Sequence, residues 1–227
     1  MKKKTLGVAT VLLLLLVQPL CAQYYFYNDK YYENDLLFDV GISAGGMNCF
    51  TDLGGRKGTG KGFVKDMNLK NTKLAGGVYF AATYKNAVAL RLEATFGQIK
   101  AYDSILRGDK SDARRRYERN LNFRSNITEF SAVAEIHPMY FNLKDDREPP
   151  RLSPYVLGGV GMFSFDPQAQ LNNTWVSLEP LRTEGQGFKE YPDRKRYKLR
   201  QINIPVGAGV RYEIGPLLNA RLEIVHR

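Results

Sequence analysis

The feature that most constrains this chain is a strict alternation of apolar and polar residues in which the polar side carries charge. In residues 88–99, Val88, Leu90, Leu92, Ala94 and Phe96 fall on one face, and Arg91, Glu93, Thr95 and Gly97 on the other. A period of two belongs to a strand, not a helix. The same reading holds for 38–45 (Phe38, Val40, Ile42 and Ala44 against Asp39, Gly41 and Ser43) and for 74–84 (Leu74, Val78, Phe80, Ala82 and Tyr84). It recurs at 128–136, 154–165, 201–214 and 218–226, which makes seven strand candidates and predicts an all-β, antiparallel fold. With 44% hydrophobic residues and 25% charged ones, the chain is neither a disordered polyelectrolyte nor a helical membrane protein.

The one long apolar run reads as an address. Lys2, Lys3 and Lys4 precede an apolar stretch over 6–17, and Leu20-Cys21-Ala22 ends in a small residue before Gln23. A dozen apolar residues are too few for a spanning helix, which needs about 20, so residues 1–22 are expected to be a cleaved export signal. The rival, a lipoprotein signal with Cys21 lipidated, fits Gln18-Pro19-Leu20 poorly. After cleavage Cys49 is the only cysteine and no intrachain disulfide can form. The net charge of +10 then falls by the three lysines to +7.

An exported chain without a helical span can still reside in a membrane, because a closed barrel satisfies its backbone polar groups between strands. The links between the strands alternate in length: short at 85–87, 143–153 and 215–216, long at 46–72, 100–121 and 166–198. Short periplasmic turns and long external loops are the habit of outer-membrane barrels. A soluble lipocalin-like barrel would alternate equally well with its apolar face inward, and the lysines separate the two. All 16 lie in the signal, the N-terminal segment, turns or long loops, outside the seven strand cores, whereas a solvated outer face carries Lys freely. The polar faces hold Gly77, Ala81, Gly97, Ser131, Gly207 and Gly209 with Arg91, Glu93, Glu129, Glu135, Arg211, Arg221 and Glu223, suited to a plugged interior. Within it, Arg91 with Glu93 and Arg221 with Glu223 are expected as lumen ion pairs. Phe38, Tyr84, Phe96, Tyr155, Phe163, Phe165 and Tyr212 would suit interfacial girdles. Seven strands is an odd number and the last stops in mid-alternation at Arg227, so we expect an eighth strand, preceded by a further loop, to close the barrel.

Motifs for other chemistry fail. Gly55-Arg-Lys-Gly-Thr-Gly60-Lys61 has P-loop spacing, but Gly62 stands where Ser or Thr should hold magnesium. There is no Gly-x-Ser-x-Gly, no His-Glu-x-x-His and no cysteine pair for zinc; no catalytic residue, cofactor or metal is expected. The only histidines are His137 and His226, on opposite ends of the expected barrel; a rim site of His226 with Ser164 or Asp166 is the one enzymatic alternative. Basic clusters at Arg114-Arg115-Arg116 with Arg119, and at Arg194-Lys195-Arg196 with Lys198 and Arg200, would meet lipopolysaccharide phosphates or simply face solvent. No nucleic-acid-binding module accompanies them. The segment 23–35 is rich in tyrosine (Tyr24, Tyr25, Tyr27, Tyr31, Tyr32) and precedes the first strand, so it is expected in the periplasm, as a partner contact or an interfacial tail.

The strings Asn120-Leu-Asn-Phe-Arg-Ser-Asn-Ile-Thr-Glu-Phe-Ser131, Ser153-Pro-Tyr-Val-Leu-Gly-Gly-Val-Gly161, Phe165-Asp-Pro-Gln-Ala169 and Trp175-Val-Ser-Leu-Glu-Pro-Leu-Arg-Thr-Glu-Gly-Gln-Gly187 resemble the Bacteroidetes outer-membrane barrel family that includes the PorG component of the type IX secretion system. The last is the most specific, through Trp175, Glu179, Pro180, Thr183, Glu184, Gly185, Gln186 and Gly187. The resemblance runs from about Phe38 to the end of the chain. It implies a non-enzymatic barrel over 36–227 that anchors periplasmic ring subunits, among them a ring lipoprotein, of a machine for protein secretion and, in some species, gliding. A passive structural barrel and a barrel enzyme acting on lipid or peptide are the alternatives.

Overall fold

The computed structural model describes residues 35–55, 67–107, 113–141, 150–183, 185–215 and 217–227. The expected export signal and the tyrosines from Tyr24 to Tyr32 lie outside these residues. The chain forms one curled antiparallel sheet. Its strands are β1 (Leu36–Met47), β2 (Lys73–Tyr84), β3 (Val88–Tyr102), β4 (Asn122–Ile136), β5 (Leu152–Leu171), β6 (Thr174–Ser177), β7 (Arg200–Asn203), β8 (Val206–Gly215) and β9 (Leu218–His226). The main order is β1-β2-β3-β4-β5-β8-β9, with β6 and β7 paired to β5. The only α-helix among the described residues is α1 (Ala113–Arg119), and none is long and apolar enough to cross a membrane, which leaves strands unaddressed.

All seven segments read from the alternation are strands, and most run further than the pattern suggested. The expected strand at 201–214 is interrupted at Ile204-Pro205: proline offers no N–H to the ladder, yet its carbonyl accepts from the Gly159 amide at 3.0 Å, and β7 and β8 both pair with β5. The long link expected over 166–198 begins with a hairpin instead. β5 continues to Leu171, turns at Asn172-Asn173 with φ of 47° and 63°, and returns as β6. Asparagine is the residue type other than glycine that best tolerates the left-handed conformation of a two-residue hairpin turn. β2 and β3 run beyond their apolar cores, so Lys73 and Lys100, expected in turns or loops, are strand residues at the strand ends, outside the cores.

Core and surface are exchanged relative to a soluble barrel. The convex face bears Phe38, Val40, Ile42, Leu74, Leu92, Met162, Leu222 and Ile224, all exposed, Ile42 at 87%. The concave face buries Arg91, Glu93, Glu129, Glu135, His137, Ser153 and Arg211. The apolar cluster there is small, Val133, Tyr155 and Leu157 with Val225 against it. Tyr155 is therefore not a girdle residue: even positions of β5 (Val156, Val160, Met162) point outward, so Tyr155, Phe163 and Phe165 point inward, and Phe163 lines the interior cavity.

Candidate functional site

The site is the charge network on the concave face. Period two brings Asp39 of β1, Arg91 and Glu93 of β3, Glu129 and Glu135 of β4, Tyr155 of β5, and Arg221 and Glu223 of β9 to one side of the sheet. Arg91 donates through Nη2 to Glu223 at 3.0 and 3.3 Å. It lies 3.6 Å from Glu93, and its Nε is 3.1 Å from Glu135 without hydrogen-bond alignment. Arg221 donates twice to Glu135, at 2.9 Å each, and reaches Asp39 at 3.5 Å. The expected Arg221–Glu223 pair does not form. The curl of the sheet brings β9 opposite β3 and β4, so Glu223 goes to Arg91 and Arg221 to Glu135.

Five carboxylates (Asp39, Glu93, Glu129, Glu135, Glu223) share three guanidiniums (Arg91, Arg221, Arg227) in this network. Neutral donors supply the remainder. Tyr155 donates to Glu223 at 2.9 Å, Asn203 to Glu129 at 2.9 Å and Thr95 to Glu93 at 3.0 Å. Buried carboxylates need such partners to stay charged. Arg91 and Arg221 also stand over the Tyr79 ring at 5.6 and 5.1 Å. A cavity of about 1070 Å³ opens between β1 and β9, lined by Tyr79, Arg91, Glu93, Glu129, Arg221 and Glu223 among others.

At the end with the short links, Ser153, His137 and Glu135 form a row that sequence reading missed. His137 Nδ1 is 3.1 Å from Ser153 Oγ and Nε2 is 3.4 Å from Glu135 Oε2. A carboxylate only accepts, so Nε2 carries a proton toward Glu135. The order resembles a hydrolase triad, but all three side chains are at most 1% exposed, so no substrate reaches the hydroxyl. The row ties β4 to β5. Strand parity was its only signal in the sequence. The other enzymatic combination is not assembled: His226 stacks on Phe50, Ser164 donates to the Thr128 carbonyl, and Asp166 accepts from Gln168 and Ser177. Among the described residues no group of three or more His, Cys, Asp or Glu is placed to hold a metal. Burial pushes the Cys49 thiol up, away from reactivity.

At the opposite end the long loops are latched together. Asp103, fully buried, accepts from Arg119 at 2.8 and 3.1 Å, from the Gly54 amide at 3.0 Å and from the Leu121 amide at 3.2 Å. Burial alone would raise its carboxyl, but these donors more than offset it and hold it below the ordinary 3.8. Arg116 and Arg119 of α1 also bind Asp52, and Arg114 pairs with Glu118. Across the third long segment Arg196 binds Glu179 at 2.6 Å and Arg194 lies over Tyr191. Much of the basic surface read from the sequence is thus committed to internal contacts. Of the string that carried the resemblance, Trp175 lies on β6 and Gly185 and Gly187 adopt φ of 75° and 76° in a chain of turns through Thr183 and Gln186. Pro180 sits in the preceding turn, and Glu184 lies outside the described residues.

An antiparallel sheet with a charged concave face and an apolar convex one defines the class of this protein. More narrowly, the chain belongs to a family described as a domain of unknown function (DUF6089), which matches residues 24–179. No curated protein and no solved structure matches it.

Proposed function

We propose that this chain is an outer-membrane β-barrel of eight strands in its closed form, and that it acts without catalysis, as an anchor for periplasmic ring components of the type IX secretion and gliding machinery. The observation that carries the membrane reading is the reversed distribution of polarity: Val40, Ile42, Leu74, Leu222 and Ile224 are about 80% exposed or more while Arg91, Glu129 and Glu135 are at most 2% exposed. In water the exposed sheet face would be a large aggregation-prone patch; in lipid it is the required surface. Along β3, Val88 to Phe96 covers about 27 Å, or about 21 Å of height at a tilt near 40°, which approaches the apolar band of such barrels. Closure by one further strand fits the way Arg221 and Asn219 of β9 reach Asp39 of β1 at 3.5 and 3.4 Å. Side chains span that gap where no ladder joins the two strands.

The secretion role is supported by the string from Trp175 to Gly187, and the burial of the Ser153–His137–Glu135 row favours anchoring over hydrolysis. The long loops lie at one end of the sheet and the short links at the other, so a periplasmic ring would meet the short links and the segment containing Tyr24, Tyr25, Tyr27, Tyr31 and Tyr32. The test is a mild-detergent pull-down of the full-length protein from outer membranes, with mass spectrometry, beside a variant lacking residues 24–32. Recovery of a ring lipoprotein that is lost with the deletion is the expected result. A barrel recovered alone, with secretion normal in a deletion strain, makes it a passive envelope barrel instead.

A further inference from the structure

Beyond the apolar band, at the end of the sheet that carries the long loops, three side chains converge on the convex face. Lys100 of β3 and Arg124 of β4 are directly opposed cross-strand neighbours. Like charges in that position repel, and Lys73 adds a third positive charge within electrostatic reach of Lys100. Trp175 of β6, half-buried, stands beside both, with Arg124 at 4.3 Å and Lys100 at 5.1 Å from the ring. Lys100 also lies 4.6 Å from the Tyr102 ring. Arg124 spends only Nε, on the Gln168 side-chain oxygen at 2.8 Å. Asp166, which shares this face, is held by Gln168 and Ser177. Among the described residues no carboxylate pairs with either cation, whereas Arg116, Arg119 and Arg196 all have one.

Height decides what could compensate them. Lys100 shares the outward parity of Leu92 and Phe96 and stands four residues further along, about 13 Å of strand and so about 10 Å of height above the last apolar residue. That is the headgroup layer of a bilayer, where tryptophan is also enriched. We propose that Lys100, Arg124 and Trp175 form a binding site for the phosphate headgroup of an anionic membrane lipid. The guanidinium has a free edge for two phosphate oxygens, the ammonium supplies a point charge beside it, and the indole closes one wall. The site rests on the membrane-barrel reading.

Trp175 is the only tryptophan, so its emission reports on this site alone. The full-length protein is reconstituted in phosphatidylcholine vesicles with increasing fractions of phosphatidic acid. A saturable change in Trp175 emission is expected. It should require at least about tenfold more phosphatidic acid in Lys100→Gln/Arg124→Gln, the loss expected for two charge-assisted contacts, and be unchanged in Lys195→Gln/Lys198→Gln. Equal weakening in both variants, or no response in protein that has inserted, overturns the site. A saturable response of the same size to inorganic phosphate in pure phosphatidylcholine overturns the lipid source and leaves a free-anion site. Protein that does not float with the vesicles refutes the membrane reading itself, and the headgroup site with it.

Discussion

Replacing Arg91 by methionine keeps most of the side-chain volume and removes the charge that three carboxylates share. Glu135 would retain Arg221 and His137, and Glu93 would retain Thr95. Glu223 would keep only the Tyr155 hydroxyl among its polar contacts. Removing one partner from a buried, hydrogen-bonded ion network costs about 3–5 kcal/mol, and with two of the three carboxylates still paired the lower end applies, about 3 kcal/mol. Adding Glu223→Gln removes the stranded charge and keeps an acceptor for Tyr155, so the double variant should recover about 1–2 kcal/mol, a coupling within the range of contacting residues. The assay is guanidinium unfolding of the full chain in phosphatidylcholine vesicles, followed by Trp175 fluorescence. A cost for Arg91→Met below about 1 kcal/mol, with the two substitutions simply adding, would mean that the concave face is solvated and its ion pairs screened.

Other predictions concern the loop latch and the convex face. Gly54→Ala should release the first long loop: Gly54 has φ of 63° and an added Cβ would stand 2.6 Å from the Tyr102 carbonyl, so limited proteolysis should cut residues 48–72 faster, at a stability cost of about 1–2 kcal/mol. Asp103→Asn should loosen the same loops while leaving the strands intact, by about 2 kcal/mol for the weakened charge-assisted bonds, read by hydrogen exchange at the Gly54 and Leu121 amides. Because folding lowers the Asp103 carboxyl, the folded chain binds its proton less readily than the unfolded one. The latch is therefore at full strength above 3.8 and weakens as the pH falls through the lower folded value; loosening that begins instead on raising the pH would contradict it. Leu92→Arg should cost about 2–4 kcal/mol in a bilayer, against roughly 0.5 kcal/mol or less at a solvated surface site.

What could be read from the chain alone followed from local periodicity. Val88 to Phe96 declares its two faces without any knowledge of its neighbours, and the same holds for the other strands, for the placement of long loops at one end and for the polar content of the concave side. Features set by register or by contacts distant in sequence were not legible. Arg221 reaches Glu135, 86 residues away, only because the sheet curls, and Asp103 meets Gly54 across 49 residues of loop and strand. The Asn172-Asn173 hairpin did carry a local signal, two adjacent residues that tolerate positive φ, but in a polar stretch it was indistinguishable from loop. Proline at position 205 likewise marked the break between β7 and β8, though not that both pieces would keep β5 as their partner.

Under the proposed membrane reading the convex face meets lipid and the concave face is closed. Spin labels placed singly at each residue of 88–96 in a Cys49→Ser background, with the full-length protein in vesicles, test it directly through collision with oxygen, which partitions into lipid, and with a nickel chelate, which stays in water. Oxygen-rich, nickel-poor signals at Val88, Leu90, Leu92, Ala94 and Phe96, alternating with positions that neither agent reaches, are the predicted result. Ready access of the nickel chelate to Leu90, Leu92 and Ala94 would contradict it.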